Sequence, residues 1–292
     1  MATGFQQVGL IGKYGDPNIR DRLVTLQQWL KLQGMRVLLD ESTAQSLPDL
    51  SIPIATRQEI GERCDLVIVI GGDGSFLNAA RSLADFPVAL LGVNLGRLGF
   101  LADISPTDMT QTLGKILAGD YVEEKRLLVQ AQILRNDEVL FENCALNDIV
   151  LHQWDVARMI EMETSIDGHH VYRLRADGLI VSTPTGSTAY ALSGGGPIIH
   201  PELELLELVP ICPHTLNNRP LVVSASSNIE ILLCDNNQTQ AQITFDGQNN
   251  YRLEPGDRIR ITRREKRIRL LHPVDQNYFS ILRAKLNWGQ SS

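Results

Sequence analysis

The sequence has few cysteines, no excess of basic residues and no long apolar run. Its 292 residues include four cysteines, and 27 lysines and arginines stand against 34 aspartates and glutamates, for a formal net charge of −7. General nucleic-acid binders and anionic-membrane binders need a basic surface, so this balance argues against both. No stretch approaches the roughly 18 consecutive apolar residues of a membrane span. We therefore expect neither nucleic acid nor a membrane as a partner.

The cysteines, Cys64, Cys144, Cys212 and Cys234, are far apart in the chain and form no CxxC pair. That spacing is typical neither of a metal site nor of a disulfide framework. The first seven residues lack the basic and apolar regions of a secretory signal. The absence of a disulfide framework, of a secretory signal and of a membrane span together predicts a cytoplasmic protein.

Four common catalytic motifs are also missing. A dinucleotide-binding GxGxxG would need glycine where Leu77 stands, and Gly12-Lys13 is followed by Tyr14, so there is no GxxxxGK[ST] phosphate loop. The sequence contains no GxSxG nucleophile motif and no HxxxH pair. Standard Rossmann dehydrogenases, P-loop enzymes, serine hydrolases with that elbow and zinc enzymes of the HxxxH type are not supported.

The composition itself is that of a compact globular protein. Hydrophobic residues make up 43% of the chain and charged residues 21%, close to the usual averages, which excludes disordered, collagenous and coiled-coil chains. At about 150 residues per domain, the length suggests two domains or one large domain.

Strand and helix patterns alternate over residues 1–122. Residues 8–11 form a short apolar run, and leucines recur at helical spacing over residues 23–30. Leu66–Ile70 is apolar without alternation, as expected of a strand buried on both faces of a parallel sheet. This order predicts a parallel α/β domain.

Two helices of this domain are predicted from their ends. One runs from Ser75 to about Ala84, directly after a glycine-rich segment. In the other, Ser105 and Pro106 are the predicted cap and first residue, and Gly119 is the predicted stop.

Over residues 123–274, strand patterns follow one another with turn residues between them. Asp167-Gly168 is a good type I′ turn between strands at residues 159–166 and 171–174. We therefore predict a second, mostly antiparallel β domain. Helical spacing returns over residues 275–288, which we expect to pack back on the first domain.

The sharpest local motif is Gly71-Gly72-Asp73-Gly74-Ser75, between a buried strand and a helix. Glycines let the backbone approach a ligand closely, and a helix N-terminus attracts phosphate. Asp73 would repel a phosphate unless it holds a metal ion or accepts a proton from an attacking hydroxyl, and both roles belong to phosphoryl transfer. The alternative is a tight strand-to-helix turn with Asp73 as helix cap.

A second segment is dense in hydroxyl groups. Residues 177–190 read DGLIVSTPTGSTAY, and Ser193-Gly194-Gly195-Gly196-Pro197 lies just beyond. These side chains offer hydrogen bonds to sugar or phosphate oxygens at little steric cost. The alternative is an ordinary Ser/Thr turn region.

Asn147-Asp148 interrupts an otherwise apolar strand pattern. Two polar residues there need partners, so the pair indicates either a ligand site or a strand end. Arg158 and Arg175 lie near these segments in the sequence and could bind phosphate through paired donors, although isolated arginines are commonly solvated surface groups.

Two further turns follow strand patterns. Residues 92–100, GVNLGRLGF, form a glycine-rich segment whose Phe100 could stack on a nucleobase or lie in the core. Asp246-Gly247-Gln248 is predicted as a hairpin turn. The basic residues between Arg263 and Arg269 are predicted to lie on a solvated strand face.

Taken together, these motifs resemble those of the NAD kinase family, in its bacterial form. The resemblance is carried by GGDG at residues 71–74, the glycine-rich residues 92–100, Asn147-Asp148 and DGLIVSTPTGSTAYALSGGGPI at residues 177–198, in that order. GGDG alone is shared with a wider group of diacylglycerol kinase-like and phosphofructokinase-like proteins. Ser75 departs slightly from the pattern, because many members have Thr or Asn there.

The resemblance implies phosphorylation of the 2′-hydroxyl of the adenosine ribose of NAD by ATP, with a divalent metal (Mg²⁺ or Mn²⁺), to give NADP. It implies a Rossmann-like α/β domain, an antiparallel β-sandwich-like domain, an active site in the cleft between them, and a homodimer or homotetramer. By the same resemblance Asp73 is the proton acceptor and Gly74 shapes the phosphate loop; no metal ligand is assigned. The other residues that would bind NAD are Asn147, Asp148, Arg158, Arg175, Asp177, Thr188, Ala189, Tyr190, Ala191, Leu192, Ser193 and Gln248.

Two other functions fit parts of this pattern. A lipid kinase would share the glycine-Asp loop but should also present an apolar entry surface or membrane anchor, and the sequence shows neither. A non-catalytic NAD(H) sensor would use the same pocket for regulation. Formation of NADP at the expense of ATP separates the kinase from both.

Overall fold

The computed structural model describes residues 4–16, 19–47, 50–96, 98–154, 158–215, 217–237 and 240–288. The chain divides into two compact units. The first consists of the residues up to Lys125 and those from Ile268 onward, and the second of Arg126–Arg267. None of the described helices is long and apolar enough to cross a membrane.

The first unit alternates strands and helices. Its elements before the second unit are β1 (Gln7–Gly12), α1 (Ile19–Leu32), β2 (Arg36–Asp40), α2 (Glu41–Gln45), β3 (Ile54–Ala55), α3 (Arg57–Arg63), β4 (Leu66–Ile70), α4 (Asp73–Ser82), β5 (Ala89–Val93), α5 (Met109–Leu117) and β6 (Tyr121–Arg126).

The second unit consists almost entirely of strands. They are β7 (Val129–Arg135), β8 (Glu138–Ala145), β9 (Asp148–Gln153), β10 (Ile160–Ile166), β11 (His169–Ala176), β12 (Gly178–Ser182), β13 (Leu205–Ile211), β14 (Leu221–Ser224), β15 (Ile229–Leu233), β16 (Ala241–Phe245), β17 (Asn249–Leu253) and β18 (Arg258–Arg263), with the short helix α6 (Tyr190–Ser193) after β12. The chain then returns to the first unit as β19 (Ile268–Pro273) and α7 (Tyr278–Leu286).

The sheet of the first unit has the order β3-β2-β1-β4-β5-β19-β6. The pairs from β3 through β19 are parallel, which confirms the predicted parallel α/β fold. All five residues of β4 are buried, because this strand lies between two others and is covered on both faces. The absence of alternation in its sequence has this physical cause.

The second unit is a sandwich of two six-stranded sheets with orders β11-β10-β15-β18-β7-β8 and β14-β13-β12-β9-β16-β17. Alternate residues from both sheets form one buried core, including Ile133, Leu151, Leu174, Val181 and Ile243. The pairs are antiparallel, as in the predicted β-sandwich-like domain.

The predicted turns agree with the backbone. Asp167 and Gly168 have φ of 51° and 80°, and they join the antiparallel strands β10 and β11. Both angles lie in the left-handed region that a type I′ turn requires. Gly119, the predicted helix stop, also has a positive φ, 102°, and directly follows the C-cap of α5.

Two helices begin at residues other than the predicted ones. Helix α4 begins at Asp73 with Gly72 as its N-cap, so Asp73 is not the cap. Helix α5 begins at Met109 rather than at Pro106. The Ser105 hydroxyl instead accepts the N–H of Thr107 in a turn before the helix, so this serine caps a local turn and not the helix itself.

The end of the second unit differs from the predicted boundary at residue 274. Strand β19 pairs in parallel with β5, with Arg269 opposite Ala89 and Leu270 opposite Leu90. It therefore belongs to the first unit's sheet, although its residues were predicted in the second domain. Helix α7 follows it and is shorter than the predicted residues 275–288.

One buried ion pair in the sandwich is expected to contribute strongly to stability. The Asp257 side chain is fully buried and accepts Arg135 Nε and Nη2 at 2.7 and 3.0 Å and the N–H of Glu254 at 2.8 Å. Asp257→Ala should lower the free energy of unfolding in urea by roughly 3 kcal/mol, because three donors lose their acceptor. Glu163→Gln, at an exposed pair with Arg173, is the control and should cost less than about 1 kcal/mol. Equal losses would contradict the prediction.

Candidate active site

The glycine-Asp loop lies at the carboxyl end of β4, the central strand of the parallel sheet. Gly71 donates its N–H to the carbonyl of Val93 at 2.9 Å. Two residues later, Asp73 begins helix α4. Open α/β sheets bind ligands at this end of their strands.

The carboxylate of Asp73 is held by three consecutive backbone N–H groups. Its Oδ2 accepts Phe100 N–H at 3.0 Å, and its Oδ1 accepts Leu101 N–H at 3.0 Å and Ala102 N–H at 3.3 Å. A carboxylate offers about four acceptor positions. Three are filled here, which leaves room on Oδ2 for one more donor such as a hydroxyl.

The two glycine-rich segments of the sequence form one structure around this carboxylate. A Cβ on Gly99 would overlap the Asp73 carboxylate, and a Cβ on Gly92 would lie 2.5 Å from the carbonyl oxygen of Leu101. Residues 99–102, here called the 99–102 loop, can therefore lie against Asp73 and β5 only because both positions lack side chains.

The second unit contains a cavity of about 660 Å³ on the face of its second sheet that points away from the core. The strand β9 alternates there: Asp148, Val150 and His152 line the cavity, while Ile149 and Leu151 lie in the core. This volume is in the range of small-molecule sites. The lining residues are Asn147, Asp148, Val150, His152, Gln153, Asp177, Ala189, Tyr190, Ile211, Thr244, Asp246 and Gly247.

Asp246 organises the polar end of this cavity. Its carboxylate accepts the N–H groups of Leu146 at 3.2 Å, Asn147 at 2.7 Å and Asp148 at 3.3 Å. Asp246 and Gly247 have φ of 52° and 62°, so the predicted turn is present. The carboxylate of that turn fixes the Asn147-Asp148 segment, a role that the turn motif does not reveal.

Asn147 lies between two strands and Asp148 is the first residue of the second, because β8 ends at Ala145 and β9 begins at Asp148. The pair therefore marks a strand end and does not interrupt a strand. Asp148 is only 5% exposed. Burial, and then the neighbouring negative charge of Asp246, raise the pKa of Asp148 to about 7. At neutral pH this carboxyl can therefore act as a hydrogen-bond donor as well as an acceptor.

Most hydroxyl groups of residues 182–188 hold their own loop in place. Thr183 Oγ1 donates to the carbonyl of Leu146 at 2.5 Å. Ser187 Oγ donates to Pro184 at 2.7 Å and accepts the N–H of Ile199 at 2.9 Å. A Cβ on Gly186 would overlap the carbonyl of Asn147. The loop thus packs directly on the Asn147 backbone and positions it.

The predicted binding residues separate into two groups. Asn147, Asp148, Asp177, Ala189 and Tyr190 line the cavity, and the Tyr190 side chain is exposed. Ala191 is fully buried and packs on the sheet beneath α6. The other predicted residues outside the cavity lining are Gly74, in helix α4 of the first unit, and Arg158, Arg175, Thr188, Leu192, Ser193 and Gln248. Of these, Gly74, Arg158, Arg175, Ser193 and Gln248 are exposed.

Sequence reasoning missed several lining residues. Val150 and His152 share the outward face of β9 with Asp148, so a period of two from Asp148 would have found them. Thr244 lies opposite Val150 on the neighbouring strand. Only sheet pairing brings it there, and its own sequence context carries no signal.

The described residues contain no group of three or more His, Cys, Asp or Glu side chains that could hold a metal ion. A protein cage for a divalent metal is therefore not found in this part of the chain. Mg²⁺ is commonly bound through substrate phosphates and one or two carboxylates, and such binding needs no cage.

Known proteins match the chain over nearly its whole length. The family model described as the ATP-NAD kinase N-terminal domain matches residues 8–121, and the one described as the ATP-NAD kinase C-terminal domain matches residues 146–272. The NAD kinase of Teredinibacter turnerae is 49% identical over 284 residues, which cover 97% of this chain and 97% of that protein. The NAD kinase of Marinobacter nauticus is 48% identical with the same coverage.

Two solved structures share the fold. A yeast NADH kinase complexed with NADH has a TM-score of 0.90 and 25% identity, covering 98% of this chain and 89% of that one. An NAD kinase from Archaeoglobus fulgidus in complex with ATP has a TM-score of 0.77 and 28% identity, covering 97% and 99%. These four proteins are kinases of pyridine dinucleotides. Within that class, this chain belongs to the NAD kinase family, which confirms the resemblance seen in the sequence.

The raised pKa of Asp148 predicts a pH-dependent stability. An unfolded aspartate titrates near 3.9, so between about pH 4 and pH 7 the folded protein holds a proton that the unfolded chain does not. This residue therefore lowers the free energy of unfolding as pH rises through that window, by at most about 1.4 kcal/mol per pH unit. Asp148→Asn should gain stability relative to the wild type from pH 5 to pH 8 in urea unfolding.

Glu138→Gln, on the exposed start of β8, is the control for loss of one negative charge in the same unit. An Asp148→Asn difference that is the same at pH 5 and pH 8 would contradict the prediction.

Gly186 should tolerate no side chain. Gly186→Ala places a Cβ against the Asn147 carbonyl and 2.6 Å from Ser182 Oγ, and overpacking of this kind costs about 1–3 kcal/mol of unfolding free energy. Gly114→Ala is the matched control, because its Cβ would lie 3.8 Å from Trp29 in ordinary contact. Within helix α5 that change should stabilise by about 0.5–1 kcal/mol. Urea unfolding of both variants tests the opposite signs.

Proposed function

We propose that this protein transfers the terminal phosphoryl group of ATP to the 2′-hydroxyl of the adenosine ribose of NAD, giving NADP, with Asp73 as the proton acceptor. Membership of the NAD kinase family over nearly the whole chain supports the reaction. The assignment of Asp73 rests on one observation: three backbone N–H groups hold its carboxylate and leave one acceptor position on Oδ2.

In this mechanism the position of Asp73 matters more than its basicity. A loose phosphoryl-transfer transition state has little bond formation to the attacking oxygen, so the hydroxyl keeps its proton until late. A carboxylate fixed by three hydrogen bonds can orient that hydroxyl without rearranging during the reaction. Gly72, the N-cap of helix α4, and Gly74, its second residue, leave the backbone at the start of that helix without side chains, which suits phosphate oxygens at a helix N-terminus.

The cavity of the second unit is the proposed NAD site. Asn147 and Asp148 would bind the dinucleotide there, and Asp148 can donate a hydrogen bond because its pKa is raised to about 7. Asp177, Ala189 and Tyr190 line the same cavity, and an exposed tyrosine ring can stack on a base. The other binding residues remain proposals from the family resemblance: Gly74, Arg158, Arg175, Thr188, Ala191, Leu192, Ser193 and Gln248.

The remaining properties are also proposals from the resemblance. A divalent cation, Mg²⁺ or Mn²⁺, would accompany ATP and offset charge on its phosphates. The protein would act in the cytoplasm as a homodimer or homotetramer.

Replacement of Asp73 tests the proposed role. Asp73→Asn should lower turnover by about 10²–10⁴-fold, because an amide cannot accept the proton and cannot accept N–H groups on both of its sides. NAD should still bind, since most of its proposed contacts lie in the second unit. A coupled assay that follows NADP with a specific dehydrogenase, together with calorimetric titration of NAD, measures both quantities.

Asp65→Asn is the matched control. Asp65 also accepts two backbone N–H groups, from Gln6 at 2.7 Å and Gln7 at 2.9 Å, but it directly precedes β4, at the opposite end of that strand from the glycine-Asp loop. Its replacement should leave turnover near that of the wild type. Near-normal turnover of Asp73→Asn would show that Asp73 is not the proton acceptor.

A further inference from the structure

A buried histidine and a buried aspartate meet directly after the 99–102 loop. His272, on β19, donates Nδ1–H to Asp103 Oδ2 at 2.8 Å, and its Nε2 lies 3.5 Å from Glu124 Oε2 on β6. The side chains of His272 and Asp103 are 2% and 4% exposed. The proposed chemistry assigns no role to these groups.

The contacts of His272 favour its protonated form. Burial by itself lowers the pKa of His272, but the contacts with Asp103 and Glu124 outweigh it, so the pKa of His272 is raised above its usual value. An imidazolium and a carboxylate in a site with little water attract each other strongly, and their hydrogen bond has a fixed direction.

The pair stands where it can fix the end of the 99–102 loop. Asp103 directly follows Ala102, which donates to Asp73, and Ile104 then pairs with Val93 of β5. Helix α7 contacts the other end of the loop, where Lys285 Nζ lies 5.9 Å from the centre of the Phe100 ring. Both contacts come from the last part of the chain, β19 and α7.

Stability alone does not account for this pair. Asp103 Oδ1 is buried, and no donor among the described residues lies within hydrogen-bonding distance of it. Replacing a buried ion pair with apolar side chains of similar volume is often neutral or stabilising. Unlike an apolar contact, the hydrogen bond between His272 and Asp103 is directional, so it fixes one orientation of the backbone between Ala102 and Ile104.

We propose that Asp103 and His272 are positioning residues. They hold the N–H groups of Phe100, Leu101 and Ala102 on the Asp73 carboxylate and so place the oxygen that receives the acceptor hydroxyl. This inference rests on the proposed role of Asp73.

The test compares three variants of the full chain. Asp103→Ala removes the acceptor of His272. Asp103→Asn keeps an acceptor oxygen in nearly the same place and is the conservative variant. Arg269 lies on the same strand as His272 and forms an ion pair with Glu123 at 2.7 Å. Arg269→Gln removes this ion pair and controls for a general loss of stability.

Two quantities are measured. Hydrogen exchange of a peptide covering residues 98–104, read by mass spectrometry, reports the loop without requiring activity. The kcat and KM of NADP formation report the reaction. In Asp103→Ala, loop exchange should be at least about tenfold faster and kcat at least about tenfold lower, with KM for ATP within about twofold. Asp103→Asn should stay within about threefold of the wild type, and Arg269→Gln should change neither quantity.

The proposal is overturned if loop exchange in Asp103→Ala is as slow as in the wild type, or if Arg269→Gln loses kcat to the same extent. Should Asp103→Ala not fold, His272→Gln, which keeps a polar side chain but leaves Asp103 Oδ2 without its donor, takes its place with the same expected results. If Asp73→Asn retains turnover, the role of Asp73 fails, while the exchange experiment still decides whether the pair holds the loop.

Discussion

The hydrogen bonds from the 99–102 loop to the Asp73 carboxylate are the contacts on which the candidate active site depends. A carboxylate at the start of a helix, partly removed from water, needs donors. Here the donors are backbone N–H groups with no side-chain freedom of their own. The oxygen that remains available is thereby fixed in space before any substrate binds, and preorganisation of this kind reduces the reorganisation that a reaction requires.

The second unit uses the same device. Asp246 accepts the N–H groups of three consecutive residues, Leu146 to Asp148, as Asp73 accepts those of Phe100 to Ala102. In both units a carboxylate just beyond the end of a strand accepts hydrogen bonds from a segment that is distant in sequence. In the second unit the arrangement has an electrostatic consequence for Asp148, because its burial, and then the adjacent negative charge of Asp246, raise its pKa. The polar end of the cavity thus includes a carboxyl that can be neutral at physiological pH.

Local signals in the sequence were sufficient for much of the fold. Short stretches of sequence were enough to predict the buried strand β4, the left-handed turn at Asp167-Gly168 and the change from alternating helices and strands to strands alone. The start of α5 was missed because Ser105 caps a turn that precedes the helix. The hydroxyl-rich residues were predicted either to offer hydrogen bonds to a ligand or to form an ordinary Ser/Thr turn region. Thr183 and Ser187 bond within their own surroundings, and composition alone cannot distinguish the two cases.

The sequence by itself determined the order of the two kinds of domain, the turns that need glycine, and the family. Only the tertiary structure decided which partners the charged groups take. Asp246 bonds to residues about one hundred positions away, and His272 lies 169 positions from Asp103. Such pairs form only after the sheets have assembled, because strand pairing and not local preference brings β19 beside β5. The type of a side chain determines what it can bind, whereas the fold of the whole chain determines which partner lies within reach.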